Sequence, residues 1–268
     1  VFDNEEEAIK YLEQADYPIV VKADGLALGK GVIIAEDKAQ AVESVRSMIS
    51  GGKFGKAGSR VVIEEYMTGP EVSVLCFTDG KTIVPMVSSQ DHKRALDNDK
   101  GLNTGGMGTF SPSMHYTKEH EAFVREHILQ ATVDAMNSEG RPFKGVLYFG
   151  LMLTPKGVKV LEYNARFGDP ETQVVLPRLQ SDLYEIFEAV IDGRLAQTEI
   201  KWNDKAAVCV VMASGGYPQS YETGFEISGL PVEDALVFHA GTKLVEGKLV
   251  TAGGRVLGVT ALGEDIGQ

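Results

Sequence analysis

The sequence predicts an α+β fold built on antiparallel sheets, and three observations support this. Apolar, β-prone runs come in pairs joined by tight turns: Val72 to Leu75 runs through Asp79-Gly80 into Ile83-Val84, and Val146 to Leu153 through Thr154-Pro155-Lys156-Gly157 into Val158 to Tyr163. Hairpins imply antiparallel pairing, not a doubly wound parallel sheet. Helices are marked by short polar caps ahead of apolar stripes, and from Ala206 onward the chain becomes a series of short strands and Gly-rich turns.

Taken in order, Asp3 and Asn4 ahead of Glu5-Glu6-Glu7 open a helix with Ala8, Leu12 and Ala15 on its apolar side, because short polar side chains cap free N–H groups and acids suit the positive helix end. Ile19 to Lys22 reads as a strand, Asp24 to Gly31 as a loop and Val32 to Ile34 as a strand. Asp37 then caps a helix with Val42, Val45 and Ile49 inward. After the Gly-rich stretch Gly51 to Gly58, Val61 to Ile63 is a strand. Ser88 to Ser113 reads as a long polar loop without structure of its own, the kind that usually carries function. A helix follows with Phe123, His127, Ile128, Ala131 and Ala135 as its marker residues. Another carries Leu183, Ile186, Phe187, Val190 and Ile191 and stops at Gly193. The expected division is a small α/β lid over residues 1–62, a larger antiparallel half over 63–195 and a β-rich domain over 196–268.

Of 268 residues, 43% are apolar, enough for a sizeable core. The 38 acidic against 26 basic residues leave a net charge of -12, a field that repels a phosphate backbone, so nucleic acid is not the expected partner. Cys76 and Cys209 sit in apolar runs and read as buried free thiols, which favours the cytoplasm. No stretch reaches the roughly 20 apolar residues that span a bilayer, so no membrane partner is expected. The chain opens on Val1-Phe2-Asp3 without an initiator Met, as expected of part of a longer protein.

Four segments carry chemistry. Lys22, Asp24, Gly25, Gly29, Lys30 and Gly31 combine a strand-end lysine with a glycine loop whose backbone can close on phosphate oxygens. By itself the segment serves equally well as an ordinary strand-loop-strand turn, and Gly31 stands where a Walker A loop needs Ser or Thr. Glu64, Glu65 and Tyr66, followed by Glu71, form an acidic hinge that could meet an adenine edge and ribose hydroxyls. On its own it reads more readily as a solvated acidic turn. Glu162 and Asn164 share one strand face and converge two oxygen donors suited to a hard cation, with Arg166 close enough for a phosphate. The competing reading is a polar edge strand. Finally, Asp91 to Arg94 and the stretch Asn103, Thr104, Gly105, Gly106, Met107 offer both charge signs and close backbone approach to a small polar substrate, or else form a mobile basic loop.

The order of these elements resembles the ATP-grasp superfamily. Within it, Lys22 to Gly31, Ser89 to Arg94, Asn103 to Gly108 and Arg166 to Gln173 resemble the phosphoribosylamine-glycine ligase family, as do Ala213 to Pro218, Phe238 to Thr242 and Gly253 to Leu257. The resemblance covers essentially the whole chain, without the family's N-terminal domain. The substrate site is therefore expected to be incomplete in this chain taken alone. It implies an ATP-grasp fold and a cytoplasmic ligase of purine biosynthesis, expected as a monomer. That enzyme joins glycine to 5-phosphoribosylamine with ATP, through a glycyl phosphate, to give glycinamide ribonucleotide, ADP and phosphate. By the same match, Glu162 and Asn164 hold Mg²⁺, with Mn²⁺ as the alternative ion. Lys22 and the loop to Gly31 hold phosphates, Glu64 to Tyr66 face adenine and Glu71 holds ribose. Asp91, Arg166 and the loop through Asn103, Gly105 and Met107 serve the reacting substrates. The alternatives are another ATP-grasp carboxylate-amine ligase, which would differ in the Asp91 to Met107 loop, and a nucleotide-binding module without catalysis.

Overall fold

The computed structural model describes residues 1–25, 27, 31–98 and 100–268. The chain divides into two compact units, Val1–Thr68 and Gly69–Gln268.

In the first unit α1 (Glu5–Leu12) is capped by Asn4, whose side chain accepts the Glu7 N–H at 3.1 Å. Strand β1 (Ile19–Ala23) is the centre of a three-stranded antiparallel sheet, flanked by β2 (Val32–Ala35) and β3 (Val61–Glu65). Between these two lies α2 (Lys38–Ile49), begun by Asp37, which accepts from the Gln40 N–H. Ala8, Leu12, Val21, Val45, Met48 and Val61 are fully buried and form the core that joins the helices to the sheet.

The second unit is organised by two sheets. The first has the order β11-β10-β4-β5, all antiparallel: β4 (Glu71–Thr78), β5 (Ile83–Pro85), β10 (Gly145–Thr154) and β11 (Gly157–Asn164). Both expected hairpins are therefore present. Strand β4 is buried on both faces, which is why its sequence is mostly apolar, interrupted inside the run by Ser73, and does not alternate. Val72, Val74 and Cys76 face one core, with Phe149 and Leu151 of β10. Leu75 and Phe77 face another, with Val174, Ile186, Val190 and Cys209. Both cysteines are buried and free.

The stretch from Ser88 to Ser113 is not structureless. It contains β6 (Gln90–Asp91), β7 (Arg94–Leu96), β8 (Lys100–Asn103) and β9 (Gly108–Ser111). The second sheet has the order β13-β16-β12-β9-β6, with β12 (Ala206–Ala213), β13 (Leu236–His239) and β16 (Arg255–Gly263); β14 (Thr242–Val245) and β15 (Lys248–Thr251) form a separate ribbon. Strand β9 finds its partner far along the chain, Gly108 opposite Val210, so its local sequence carries little strand signal. The strands after residue 195 thus complete a sheet begun at Gln90.

The helix after this stretch is α3 (Lys118–Val124), a π-helical turn Arg125–Leu129, and α4 (Gln130–Ser138). Its buried residues are Val124, Leu129 and Val133, whereas Phe123, His127 and Ala131 are exposed. Of the marker residues Phe123, His127, Ile128, Ala131 and Ala135, only Ile128 is partly buried; the π turn inserts one extra residue, so the inward positions run Val124, Leu129, Val133. Helix α6 (Leu183–Asp192), which follows the short α5 (Thr172–Val175), ends as expected at Gly193 in the left-handed conformation, φ 73°. Among the described residues no helix is long and apolar enough to cross a membrane.

Candidate functional site

In the first unit Lys22 sits near the end of β1, with its Nζ 2.5 Å from Glu64 Oε2. Val20 is the residue opposite Glu64, so Lys22 and Glu64 are diagonal neighbours on one face of the sheet, a position that puts opposite charges in reach. Asp24 is engaged by Arg60, whose Nε donates to it at 2.6 Å. Gly25 is a packing requirement: its N–H donates to Ala57 O at 3.0 Å, and a Cβ there would come 2.5 Å from Ala57 Cα. Glu65 ends β3, and Tyr66 just beyond it is exposed. Gly31 donates no side chain but its carbonyl accepts the Ala23 N–H at 2.8 Å. Gly29 and Lys30 lie outside the described residues.

In the second unit Glu162 and Asn164 lie on one face of β11, close enough for Asn164 Nδ2 to approach Glu162 Oε1 at 3.4 Å; Arg166 Nη2 lies 3.4 Å from Asn164 Oδ1 and its Nη1 donates to Phe167 O. A β-bulge precedes them: Gly150 is opposite Glu162 but Leu151 is opposite Val160, leaving Leu161 as the extra residue. The absence of a side chain at Gly150 leaves room for the Glu162 stem, since a Cβ there would meet Glu162 Cγ at 3.0 Å. Among the described residues no group of three or more His, Cys, Asp or Glu is placed to hold a metal. A carboxylate and an amide oxygen together form a hard donor set of two. That suits Mg²⁺, which takes one or two protein ligands and completes its shell with water and phosphates.

The most unusual electrostatics belong to a cluster around Asp91 on β6. Its side chain is only 5% exposed, Oδ2 stands 3.7 Å from Lys93 Nζ, and Oδ1 is buried without a hydrogen-bond partner. Lys93 Nζ also donates to Glu71 Oε2 at 2.8 Å, so Glu71 at the start of β4 is ion-paired. Glu171 is buried beside them and accepts from Ser73 Oγ at 3.0 Å, while Ser73 Oγ lies 2.9 Å from Tyr148 Oη. Burial pushes the Asp91 carboxyl up to about 7; Lys93 opposes this, and Glu171 and Glu71 add to it. For Lys93 burial works against the charge, but Glu71, Tyr148 and Asp91 outweigh it and hold the ammonium above its usual range. Burial, then Glu171, raises the Tyr148 phenol. Glu71 and Asp91 share Lys93, and Glu171 adds a third carboxyl near Asp91, so the cluster holds more carboxyl groups than lysines.

The loop expected to border the substrate does reach this cluster. Thr104 N–H donates to Lys93 O at 2.7 Å and Met107 N–H to His92 O at 2.8 Å, which brings the Gly105-Gly106 turn against Asp91. Asn103 stays exposed on β8, opposite Arg94. Sequence reasoning assigned no role to Glu171, Ser73 or Tyr148 and left Lys93 unresolved. The available signal was a polar side chain inside an apolar strand, as at Ser73 and Tyr148.

Comparison with known proteins gives the family and the fold. Residues 1–172 match the family model of the phosphoribosylglycinamide synthetase ATP-grasp (A) domain, and residues 207–268 that of the phosphoribosylglycinamide synthetase C domain. The chain is 54% identical over 270 residues to the trifunctional purine biosynthetic protein adenosine-3 of Bos taurus, covering 99% of this chain and 27% of that protein. It is 49% identical over 264 residues to the phosphoribosylamine–glycine ligase of Caldanaerobacter subterraneus, covering 98% of this chain and 63% of that one. It thus spans less than two thirds of either relative. The crystal structure of a phosphoribosylamine–glycine ligase from Thermotoga maritima superposes with a TM-score of 0.86 at 36% identity, over 98% of this chain and 66% of that one. A biotin carboxylase domain from Hydrogenobacter thermophilus, at 16% identity and a TM-score of 0.70 over 97% of this chain and 56% of that one, shares the fold. With an ATP-grasp domain model over residues 1–172 and relatives about half identical along nearly its whole length, the chain belongs to the phosphoribosylglycinamide synthetase family.

Proposed function

We propose that this chain is the catalytic part of a phosphoribosylamine-glycine ligase, which makes glycinamide ribonucleotide from glycine, 5-phosphoribosylamine and ATP. The observation that carries the reading is the Asp91 cluster: a buried carboxylate with one oxygen unpartnered, which shares Lys93 with Glu71 and lies near a third carboxyl, Glu171. Such a site favours a small cation, and the ammonium of glycine supplies one while its carboxylate stays free to react. Binding the ammonium then draws the proton off Asp91, whose carboxyl sits near pH 7.

A glycine carboxylate oxygen attacks the γ-phosphorus of ATP and ADP leaves. The amine of phosphoribosylamine then attacks the acyl carbon, phosphate departs and the nitrogen gives up a proton. The protein's task is positioning and charge neutralisation, not covalent chemistry. Lys22, with Gly25, Gly29, Lys30 and Gly31, is assigned to the phosphates, Glu64 to Tyr66 to adenine, Glu71 to ribose and Arg166 to the transferred phosphoryl group. Glu162 and Asn164 would hold Mg²⁺, which supplies charge neutralisation between phosphate oxygens when bound. We retain residues 196–268 as a C-terminal domain because the C-domain family model begins within them, at residue 207. The setting proposed is a cytoplasmic monomer acting on small molecules.

The test is ATP-dependent formation of glycinamide ribonucleotide by the full-length protein. Asp91→Asn removes the charge but keeps the shape, and should raise the KM for glycine by roughly a hundredfold while the Kd for ATP stays within about twofold, since charged hydrogen bonds are worth about twice neutral ones. An unchanged glycine KM would remove Asp91 from the substrate site.

A further inference from the structure

The Gly105-Gly106 turn beside Asp91 is held by residues from the C-terminal part of the chain. Arg255, the first residue of β16, donates from Nη1 to the carbonyls of Gly105 at 2.6 Å and Asp169 at 3.1 Å, and Nη1 lies 3.5 Å from Gly106 O. Its Nη2 pairs with the Asp169 carboxylate at 3.1 Å. The Tyr217 hydroxyl accepts the Gly105 N–H at 2.9 Å. The Tyr217 ring is fixed in turn, because it lies so close to Gly254 that a Cβ there would overlap it, and it packs edge-on against Tyr221 at 6.2 Å between centroids.

Both backbone polar groups of Gly105 are therefore gripped, its N–H by a tyrosine and its C=O by a guanidinium. The turn in question is itself tight: Gly106 has φ +107°, where other residues are strained, and a Cβ would come 2.6 Å from Asp91 Oδ1 and overlap Pro170. Nothing in the nucleotide chemistry uses Arg255 or Tyr217, yet both contact the segment that walls off the partnerless oxygen of Asp91.

We propose that Arg255 and Tyr217 are positioning residues for the substrate cluster, locking the Gly105-Gly106 turn against Asp91 so that the carboxylate keeps a dry setting and one orientation toward a substrate ammonium. The proposal rests on the reading above that Asp91 receives the glycine ammonium. A released turn would admit water to Oδ1, which favours the ionised carboxylate and lowers the pH at which it loses its proton. The charged and titratable groups that face Asp91 are Lys93, Glu71 and Glu171, with the His92 N–H also contributing. Arg255 and Asp169 lie across the turn, so a charge-neutral variant is the cleaner probe.

Three variants of the full-length protein test this: Tyr217→Phe, which loses the acceptor and keeps the ring; Arg255→Lys, which keeps the charge and loses the fork; and Arg255→Ala. Tyr217→Phe should raise the KM for glycine roughly three- to tenfold, the range of one neutral hydrogen bond, with the KM for ATP within about twofold. Arg255→Ala should lower kcat/KM for glycine by roughly a hundredfold, with partial recovery in Arg255→Lys. In Tyr217→Phe the acid limb of kcat/KM against pH should move to lower pH, and the backbone amides of Gly105 to Met107 should exchange hydrogen faster. A wild-type glycine KM, acid limb and amide exchange in Tyr217→Phe would overturn the proposal, even if Arg255→Ala fails to fold. So would losses equal for glycine and ATP with the limb unmoved, which mark a merely structural role. If the wild-type protein makes no product from glycine, the substrate reading fails. The clamp itself is then judged by amide exchange, where unchanged rates at Gly105 to Met107 would sink it.

Discussion

Asp91, proposed above to receive the substrate ammonium, has consequences for stability too. Its carboxyl titrates near 7 in the folded protein, well above its unfolded value, so the native state holds the proton more tightly. The stability this contributes is fully present below about pH 4 and is lost as pH rises through about 7. Asp91→Asn cannot ionise, so it should gain on the wild type as pH rises, by about 2 kcal/mol between pH 5 and pH 8 in urea unfolding. A gap that stays constant across that range would mean that the Asp91 carboxyl is not held protonated by its surroundings. Glu162 presents the opposite case, an exposed carboxylate that we propose holds a cation. Glu162→Gln in the full-length protein should keep its fold and its thermal midpoint while kcat falls by roughly two orders of magnitude, and the Mg²⁺ demand should rise. Near-normal turnover at unchanged Mg²⁺ would exclude Glu162 from the metal site.

Among the elements, the helix from Lys118 to Ser138 shows how one inserted residue redirects a face. Leu129, at the end of the π turn, is 1% exposed and packs with Val74, Phe149 and Leu151, whereas Phe123 is 43% exposed. Leu129→Ala should therefore cost about 2 to 5 kcal/mol, the range for a buried leucine that leaves a cavity, and Phe123→Ala under about 1 kcal/mol. Equal costs in chemical denaturation would mean that the face through Phe123 is as buried as the face through Leu129. The sheets show a related effect. Strands β4 and β10 are legible because each is mostly apolar, but β6 and β9 are short and exist through pairing with each other and, for β9, with β12.

For the molecule as a whole, the two compact units have separate cores, one around Leu12, Val21 and Met48 and the others around Phe77, Phe149 and Ile186. The first unit ends at Thr68, and a unit that small buries a lower fraction of its surface than the second, so it should unfold first. The single tryptophan, Trp202, packs against a core of the second unit and reports on that unit alone. In urea, far-UV circular dichroism should lose part of its amplitude before Trp202 fluorescence begins to change. Coincident curves would show that the two cores unfold as one.

The sequence by itself determined the α+β class, both hairpins, the Asn4 and Asp37 caps, the Gly193 stop and the shared face of Glu162 and Asn164. Each of these is a local property, fixed by residues two to four positions apart through backbone periodicity, capping and turn geometry. Only the tertiary structure decided the charge state of Asp91, the pairing of Lys93 with Glu71, the burial of Glu171 beside Ser73, and the grip of Arg255 and Tyr217 on Gly105. Desolvation and Coulomb fields act through space, and the groups that set them here come from β4, β6, β10, β16 and the loops between. No spacing along the chain announces which of its many acids will be dried, crowded and left with one oxygen unpartnered.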